Sequence, residues 1–221
     1  MEKSTFDQIL NMLPNDSLSC AESEKFRQMW EERLFDSKPG LVGGFSLDIT
    51  MIKKFKYTRK YYGYEEFVWT FLIDYVTANI RYCPSDLLIR SAQEVRLSKG
   101  QLCEYRRFPK TIIKQEYYYP PEDKILVCFL PTLPGDTGVV IDGNHKLNQA
   151  FQKKLHTVPC VLVPESMAIL SLESTQQSFE FAFLSDVKGL ITKCSSPQNL
   201  YIFGRDKVLE TIDKRTSQAM F

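Results

Sequence analysis

The sequence VVIDGNHKLNQAFQKKLHTVPCVLVP, residues 139–164, is the stretch that decides the fold. Its apolar beginning and end predict two strands, and residues 144–155 between them predict a helix. Gly143 lies where an extended chain must reverse sharply, just before that helix begins at about Asn144 or His145. The first N–H groups of a helix have no carbonyl partner within it, so this turn predicts an anion-binding site.

The residues around the turn form the first candidate site. Asp142 ends an apolar strand, so its carboxylate is expected beside the turn, where it would accept hydrogen bonds, bind a cation or act as a base. Gly143 accommodates a positive φ and lets a ligand approach the backbone closely. Asn144 is a candidate helix cap, His145 falls in the first turn, and Lys146 adds positive charge. An ordinary surface turn with a polar cap explains the same residues, and this alternative stays open.

Residues 1–92 are predicted to be a mainly helical N-terminal region. A first helix is expected within residues 5–13, and a second runs from about Ser19 to Phe35. Apolar side chains recur at every fourth position of the second helix and share one face, namely Phe26, Trp30 and Leu34. Residues 65–83 are apolar almost all round, which predicts a buried helix.

Residues 93–164 are predicted to be an α+β core, and residues 165–221 a mainly helical C-terminal region that packs on it. The segment 98–108 is expected to be a polar helix or turn, and residues 179–183 suit a helix or a strand. The expected strands are residues 94–97, 125–130, 138–142 and 158–163. The predicted fold is therefore a small mixed sheet flanked by N- and C-terminal helices.

Composition limits the classes of partner. A net charge of +1 over 221 residues excludes a chain that is basic throughout, as a general polyanion binder would be. The most apolar segment, residues 67–76, is short and contains Asp74, so no membrane span is expected. No signal peptide is apparent, and the 6 cysteines are scattered without a CxxC pair. Free thiols and a cytoplasmic location are therefore expected.

The strand, Gly-turn, helix and second strand resemble the ParB/sulfiredoxin-like superfamily, which includes the ParB-like nuclease domain. The resemblance covers residues 93–164, and residues 139–163 are its most specific part. The positions that carry it are Ile141, Asp142, Gly143, Asn144, His145, Lys146, Leu147, Ala150, Val158 and Pro159.

The resemblance implies that a nucleotide or nucleic-acid phosphate binds at this turn. Gly143, Asn144, His145 and Lys146 would face the phosphate, and a nucleoside triphosphate with Mg²⁺ is the implied cofactor. Asp142 and His145 become the catalytic candidates for phosphoryl transfer or phosphodiester cleavage, as in a nuclease, phosphotransferase or NTPase. The alternative is a non-catalytic interaction or regulatory module that keeps the fold without the chemistry.

Two positions depart from the pattern of the superfamily. Asn144 stands where sulfiredoxins have their catalytic cysteine and partition proteins a glutamate, and Lys146 stands at an arginine position. Lysine neutralises phosphate as a point charge, without the bidentate geometry of arginine. No helix-turn-helix DNA reader follows the core. Cysteine repair is therefore not expected, and a complete partition protein is not supported.

Two basic segments are further candidates for nucleic-acid binding. In residues 52–64 the basic residues are interleaved with aromatic rings that would stack on bases; they are Lys53, Lys54, Lys56, Arg59 and Lys60. The second segment contains Arg106 and Arg107. Lysines lying over buried aromatics, and an ordinary solvated face, are the alternatives. No metal site is predicted, because His145 and His156 are eleven residues apart and no carboxylate matches them at a ligand spacing.

Overall fold

The structure is a computed structural model of the 221-residue chain. It describes residues 1–15, 17–36, 54–60, 66–82, 93–104, 125–131, 138–192, 209–210 and 212–213.

The chain begins with two helices, as the sequence predicts. Helix α1 spans Lys3–Leu10 and helix α2 spans Cys20–Glu31, followed by a π-helical turn over Glu32–Asp36. Ser19 caps α2, because its hydroxyl accepts from the Glu22 N–H while the Glu22 carboxylate accepts from the Ser19 N–H. The predicted apolar face is confirmed, since Phe26, Trp30 and Leu34 are all buried.

A β-hairpin follows. Its second strand lies where the sequence predicts the start of a helix over residues 65–83. Strand β1, Lys54–Lys60, pairs antiparallel with strand β2, Glu66–Leu72, and helix α3 covers Ile73–Tyr82. The prediction of one helix over residues 65–83 is therefore wrong for its first part. Phe67, Trp69 and Phe71 alternate toward the core with the period of a strand. A short apolar run fits a buried strand as well as a buried helix, so periodicity alone could not separate them.

In the described part of the chain, five strands form one mixed sheet in the order β3-β7-β5-β6-β4. Strand β7 is antiparallel to β3 and parallel to β5, while β6 is antiparallel to β5 and parallel to β4. Helix α4, Asn144–Gln152, connects β6 to β7. The predicted strands are confirmed. In the segment 98–108, predicted to be a polar helix or turn, residues 99–101 form a 3₁₀ turn, but the prediction is wrong for Leu102–Glu104, which form a strand because they pair with β6. The strands are β3 Gln93–Ser98, β4 Leu102–Glu104, β5 Ile125–Phe129, β6 Gly138–Asp142 and β7 Thr157–Leu162.

The two faces of this sheet are covered by different elements. Helix α4 covers one face, where Leu147 packs in a small cluster with Val127, Val140 and Val158. The other face belongs to the main core, which also contains α1, α2, β2, α5 and α6. Helix α4 and the turn that precedes it thus lie on the less covered side of the sheet.

The C-terminal region is helical, as predicted. Helix α5 spans Glu165–Leu170 and helix α6 spans Thr175–Ile191, which decides residues 179–183 in favour of a helix. Phe179, Phe181 and Phe183 are all buried, so α6 is surrounded by core on most of its circumference. The molecule is an α+β protein. Within the described ranges no helix has the length and apolarity that a membrane crossing requires.

Candidate functional site

The turn before α4 depends on Gly143 for its shape. Gly143 is the N-cap residue of the helix and has φ 83° and ψ 17°, the left-handed conformation that glycine adopts without strain. A Cβ at this position would lie 2.9 Å from the Cα of Ile125 on the neighbouring strand β5. The absence of a side chain therefore serves two needs, the left-handed backbone and close packing against β5.

Asn144 does not cap the helix, contrary to one of the roles predicted for it. It is the first residue of α4, and its side-chain Nδ2 donates back to the carbonyl oxygen of Val140 at 3.3 Å. The side chain of Asn148 donates in turn to the Asn144 carbonyl at 2.7 Å. The Asn144 side chain thus connects α4 to the Val140 carbonyl of β6, and the Asn148 side chain stabilises the first turn of α4.

The start of α4 presents backbone N–H groups beyond its end. The N–H of Leu147 donates to the Gly143 carbonyl at 3.0 Å and makes the first hydrogen bond of the helix. The N–H groups of Asn144, His145 and Lys146 come before this bond and point toward the N-terminal end of the helix. They carry the positive end of the helix dipole, so an anion placed over the turn would be stabilised there.

The side chains at this turn differ in exposure. Asp142 and Lys146 are half-buried, whereas His145 is exposed. Asp142 is the last residue of β6 and directly precedes the Gly143 turn. The structure therefore brings together one carboxylate, one imidazole, one ammonium group and the first N–H groups of a helix.

Lys146 lies near Cys160 of strand β7. Burial raises the pKa of the Cys160 thiol to about 11, while a backbone hydrogen bond at Leu97 and the positive charge of Lys146 lower it in part. Cys160 is 1% exposed. The raised pKa keeps the thiol protonated at neutral pH, and the thiolate is the form that nucleophilic cysteines use.

Sequence reasoning missed three residues that shape this site. Ile125 packs against Gly143, Asn148 binds the Asn144 carbonyl, and Cys160 lies near Lys146. The spacing of four between the two asparagines was a usable signal, because such residues are neighbours on a helix. Ile125 and Cys160 come from other strands, and nothing local in the sequence indicates their contact with the turn.

The first basic segment forms strand β1 of the hairpin. Lys54 and Lys56 are exposed, and Phe55 between them is partly buried against the main core. Lys54 forms an ion pair with Glu173 at 2.5 Å. This arrangement fits lysines that lie over buried aromatics. Arg59 and Lys60 belong to the same strand, whereas Lys53, Arg106 and Arg107 fall outside the described residues.

The histidines lie at opposite ends of α4. His145 is in its first turn and His156 follows its C-terminus, and both are exposed. Among the residues that the structure describes, no group of three or more histidine, cysteine, aspartate or glutamate side chains converges on a point where a metal ion would bind.

Comparisons with known proteins found no matching family model, no matching curated protein and no matching solved structure.

Proposed function

We propose that the protein binds a nucleotide or nucleic-acid phosphate at the Gly143 turn. The observation that supports this most is the left-handed Gly143 at the start of α4, with no side chain of its own to cap the N–H groups that follow. Helices α1 and α5 also begin without a side-chain cap, whereas α2 and α6 are capped by the hydroxyl groups of Ser19 and Ser174; what distinguishes α4 is the left-handed Gly143.

The side chains at the turn complement such a ligand. Lys146 adds positive charge close to the N–H groups, and the exposed His145 is placed to donate a hydrogen bond or a proton. A nucleoside triphosphate with Mg²⁺ is the cofactor we favour, because Mg²⁺ usually binds one or two carboxylates together with phosphate oxygens. Asp142 supplies such a carboxylate at the rim of the turn.

The proposal extends to the ParB/sulfiredoxin-like family and to its chemistry. A strand, a Gly-turn and a helix that together face phosphate would suit phosphoryl transfer or phosphodiester cleavage, with Asp142 as a carboxylate that would hold Mg²⁺ and His145 as the group that would move a proton. The setting we favour is the cytoplasm, with DNA as one candidate source of the phosphate.

The second candidate function is an interaction or regulatory module that binds without turnover. The observation in its favour is Asn144, whose side chain donates to the Val140 carbonyl. The residue at the position of the family's catalytic cysteine or glutamate thus stabilises the turn in this chain.

A thermal-shift panel tests phosphate binding. ATP, CTP, GTP and a short single-stranded DNA, each with MgCl₂, are compared with MgCl₂ alone. A ligand at about one hundred times its Kd stabilises the native state by about 2.7 kcal/mol, so Tm should rise by several degrees. Lys146→Ala should abolish the rise, because it removes the ammonium group of Lys146 from the turn. Lys25→Ala, on the exposed side of α2, is the matched control and should keep it.

Phosphate release from the nucleotide that gives the largest shift separates the two candidates. Turnover that Asp142→Asn eliminates while the shift persists supports catalysis, and a shift without turnover supports the module. The absence of a shift with every nucleotide and with DNA would contradict phosphate binding itself.

A further inference from the structure

The opposite end of α4 closes with a lysine in a conformation that favours glycine. Lys154 has φ 60° and is the one non-glycine residue with positive φ among those described. Its N–H donates to the Phe151 carbonyl, and the N–H of Leu155 donates to the Ala150 carbonyl, both at 3.1 Å. These bonds define a Schellman motif with Lys154 at the left-handed position, where a Cβ adds strain. A lysine side chain is therefore present at a cost in stability.

The next residue exposes an apolar side chain. In a Schellman motif the side chain at the position of Leu155 usually packs on the residue at the position of Ala150. The single methyl group of Ala150 covers little of it, and Leu155 remains 49% exposed. Within the described ranges it is the one large hydrophobic residue in the exposed class.

Basic residues flank this leucine in the chain. Lys153, Lys154 and His156 are exposed, and the Lys99 ammonium group lies 5.8 Å from the centre of the Phe151 ring. No acidic residue occurs between Gly143 and Val163. We call this surface the α4 corner, consisting of Lys99, Lys153, Lys154, Leu155 and His156.

The lysines of the α4 corner contrast with other basic residues of the protein. Lys3, Arg27 and Lys54 each form an ion pair with a carboxylate of the chain. Within the part of the chain that the structure describes, neither Lys153 nor Lys154 forms one. Their charge is therefore available to carboxylates of another molecule.

We propose that the α4 corner docks an acidic segment of another protein that carries an apolar residue among its carboxylates. The lysines match the carboxylates in charge, and the exposed Leu155 matches the apolar residue. Leu155 also favours a protein partner over nucleic acid, because a leucine gains little against a phosphate backbone. The surface lies at the C-terminus of α4, whereas the phosphate site proposed above lies at its N-terminus, so neither proposal depends on the other.

Fluorescence anisotropy tests the docking. The probe is a short fluorescein-labelled peptide with two central leucines flanked by glutamates, and the comparison peptide has serines in place of the leucines. We expect the leucine peptide to bind more tightly to the full chain than the serine peptide. Leu155→Ser should weaken binding by roughly tenfold, since about 1.4 kcal/mol corresponds to that factor. Lys25→Ala on α2 should leave it unchanged.

Lys154→Gly gives the sharpest readout, because the docking proposal predicts opposite changes in stability and in binding. Glycine relieves the strain of the left-handed position, so Tm should rise, whereas the loss of one charge should weaken peptide binding by about threefold. Equal affinity of the leucine and serine peptides would overturn the proposal. So would unchanged peptide binding by both Leu155→Ser and Lys154→Gly, or tighter binding of a single-stranded DNA of equal charge.

Discussion

At the scale of single residues, the candidate site depends on a glycine that packs against another strand. Gly143 combines a left-handed backbone with a hydrogen atom that faces Ile125. The contact couples the start of β5 to the turn between β6 and α4. A substitution in the turn should therefore disturb the packing of β5 in the centre of the sheet.

Gly143→Ala should lower the free energy of unfolding by about 2 kcal/mol or more. A left-handed conformation costs an ordinary residue about 1–2 kcal/mol, and the added Cβ would in addition press on the Ile125 backbone. Urea denaturation measures the change. Gly100→Ala is the matched control, because a Cβ there meets no atom within 4 Å and should cost little. Equal losses in the two variants would contradict the assigned role of Gly143.

The buried thiol of Cys160 predicts a loss of stability at alkaline pH. An unfolded thiol has a pKa of about 8.5, whereas burial raises the pKa of Cys160 to about 11. Between these values the unfolded chain releases a proton that the native state keeps, so the free energy of unfolding falls as pH rises. The contribution of one thiol should approach 1 kcal/mol per pH unit.

Urea unfolding between pH 7.5 and pH 11 checks this effect. Other groups titrate in the same range, so the informative quantity is the difference in slope between the wild type and Cys160→Ala. The variant should lose stability less steeply with pH. Cys20→Ala, at an exposed position, should keep the wild-type slope. Parallel slopes for the wild type and Cys160→Ala would show that the buried thiol does not titrate in this way.

At the scale of elements, the sequence predicted those whose ends carry clear local signals. Helix α2 begins directly after its cap Ser19, with Glu22 three residues beyond that cap, and α4 follows strand β6 and the turn glycine Gly143. Residues 66–72 were mistaken for helix because an apolar run carries no period of its own. Their strand conformation is decided by distant partners. The Thr70 N–H donates to the side chain of Gln177, and the Leu72 N–H donates to the Ser171 carbonyl.

The candidate site was predictable only in part, for the same reason. Asp142, Gly143, Asn144, His145 and Lys146 are consecutive in the chain, so their proximity follows from sequence. The contribution of β5 and β7 does not, because strand order in a mixed sheet depends on long-range packing rather than on local patterns.

At the scale of the whole molecule, helix α6 joins the N-terminal helices to the β1–β2 hairpin. The Phe183 ring lies 5.1 Å from that of Phe6 and 5.7 Å from that of Trp30, measured between ring centres. On the side of the hairpin, the Phe181 ring lies 5.2 Å from Trp69. The N-terminal, central and C-terminal regions thus share one main core.

Phe183→Ala should lower the free energy of unfolding by about 3–5 kcal/mol, because it leaves a cavity among rings from α1 and α2. Phe151→Ala, at a half-buried position on the smaller cluster, is the matched control and should cost clearly less. Chemical denaturation followed by tryptophan fluorescence reports the loss directly, since Trp30 is one of the contacting rings. A loss no larger than that of the control would exclude α6 as the centre of the core.

The strand order has a consequence for how the chain folds during synthesis. Strand β3 pairs with β7, and the Gln93 to Leu162 register joins residues far apart in the chain. Helices α1 and α2 pack against α6, which is synthesised later than strand β7. When only the first half of this sequence has been synthesised, the nascent chain exposes apolar surfaces whose packing partners have not yet been made. Such long-range closure slows folding and prolongs exposure to aggregation, so the nascent chain should depend on chaperones more than a protein with local contacts would.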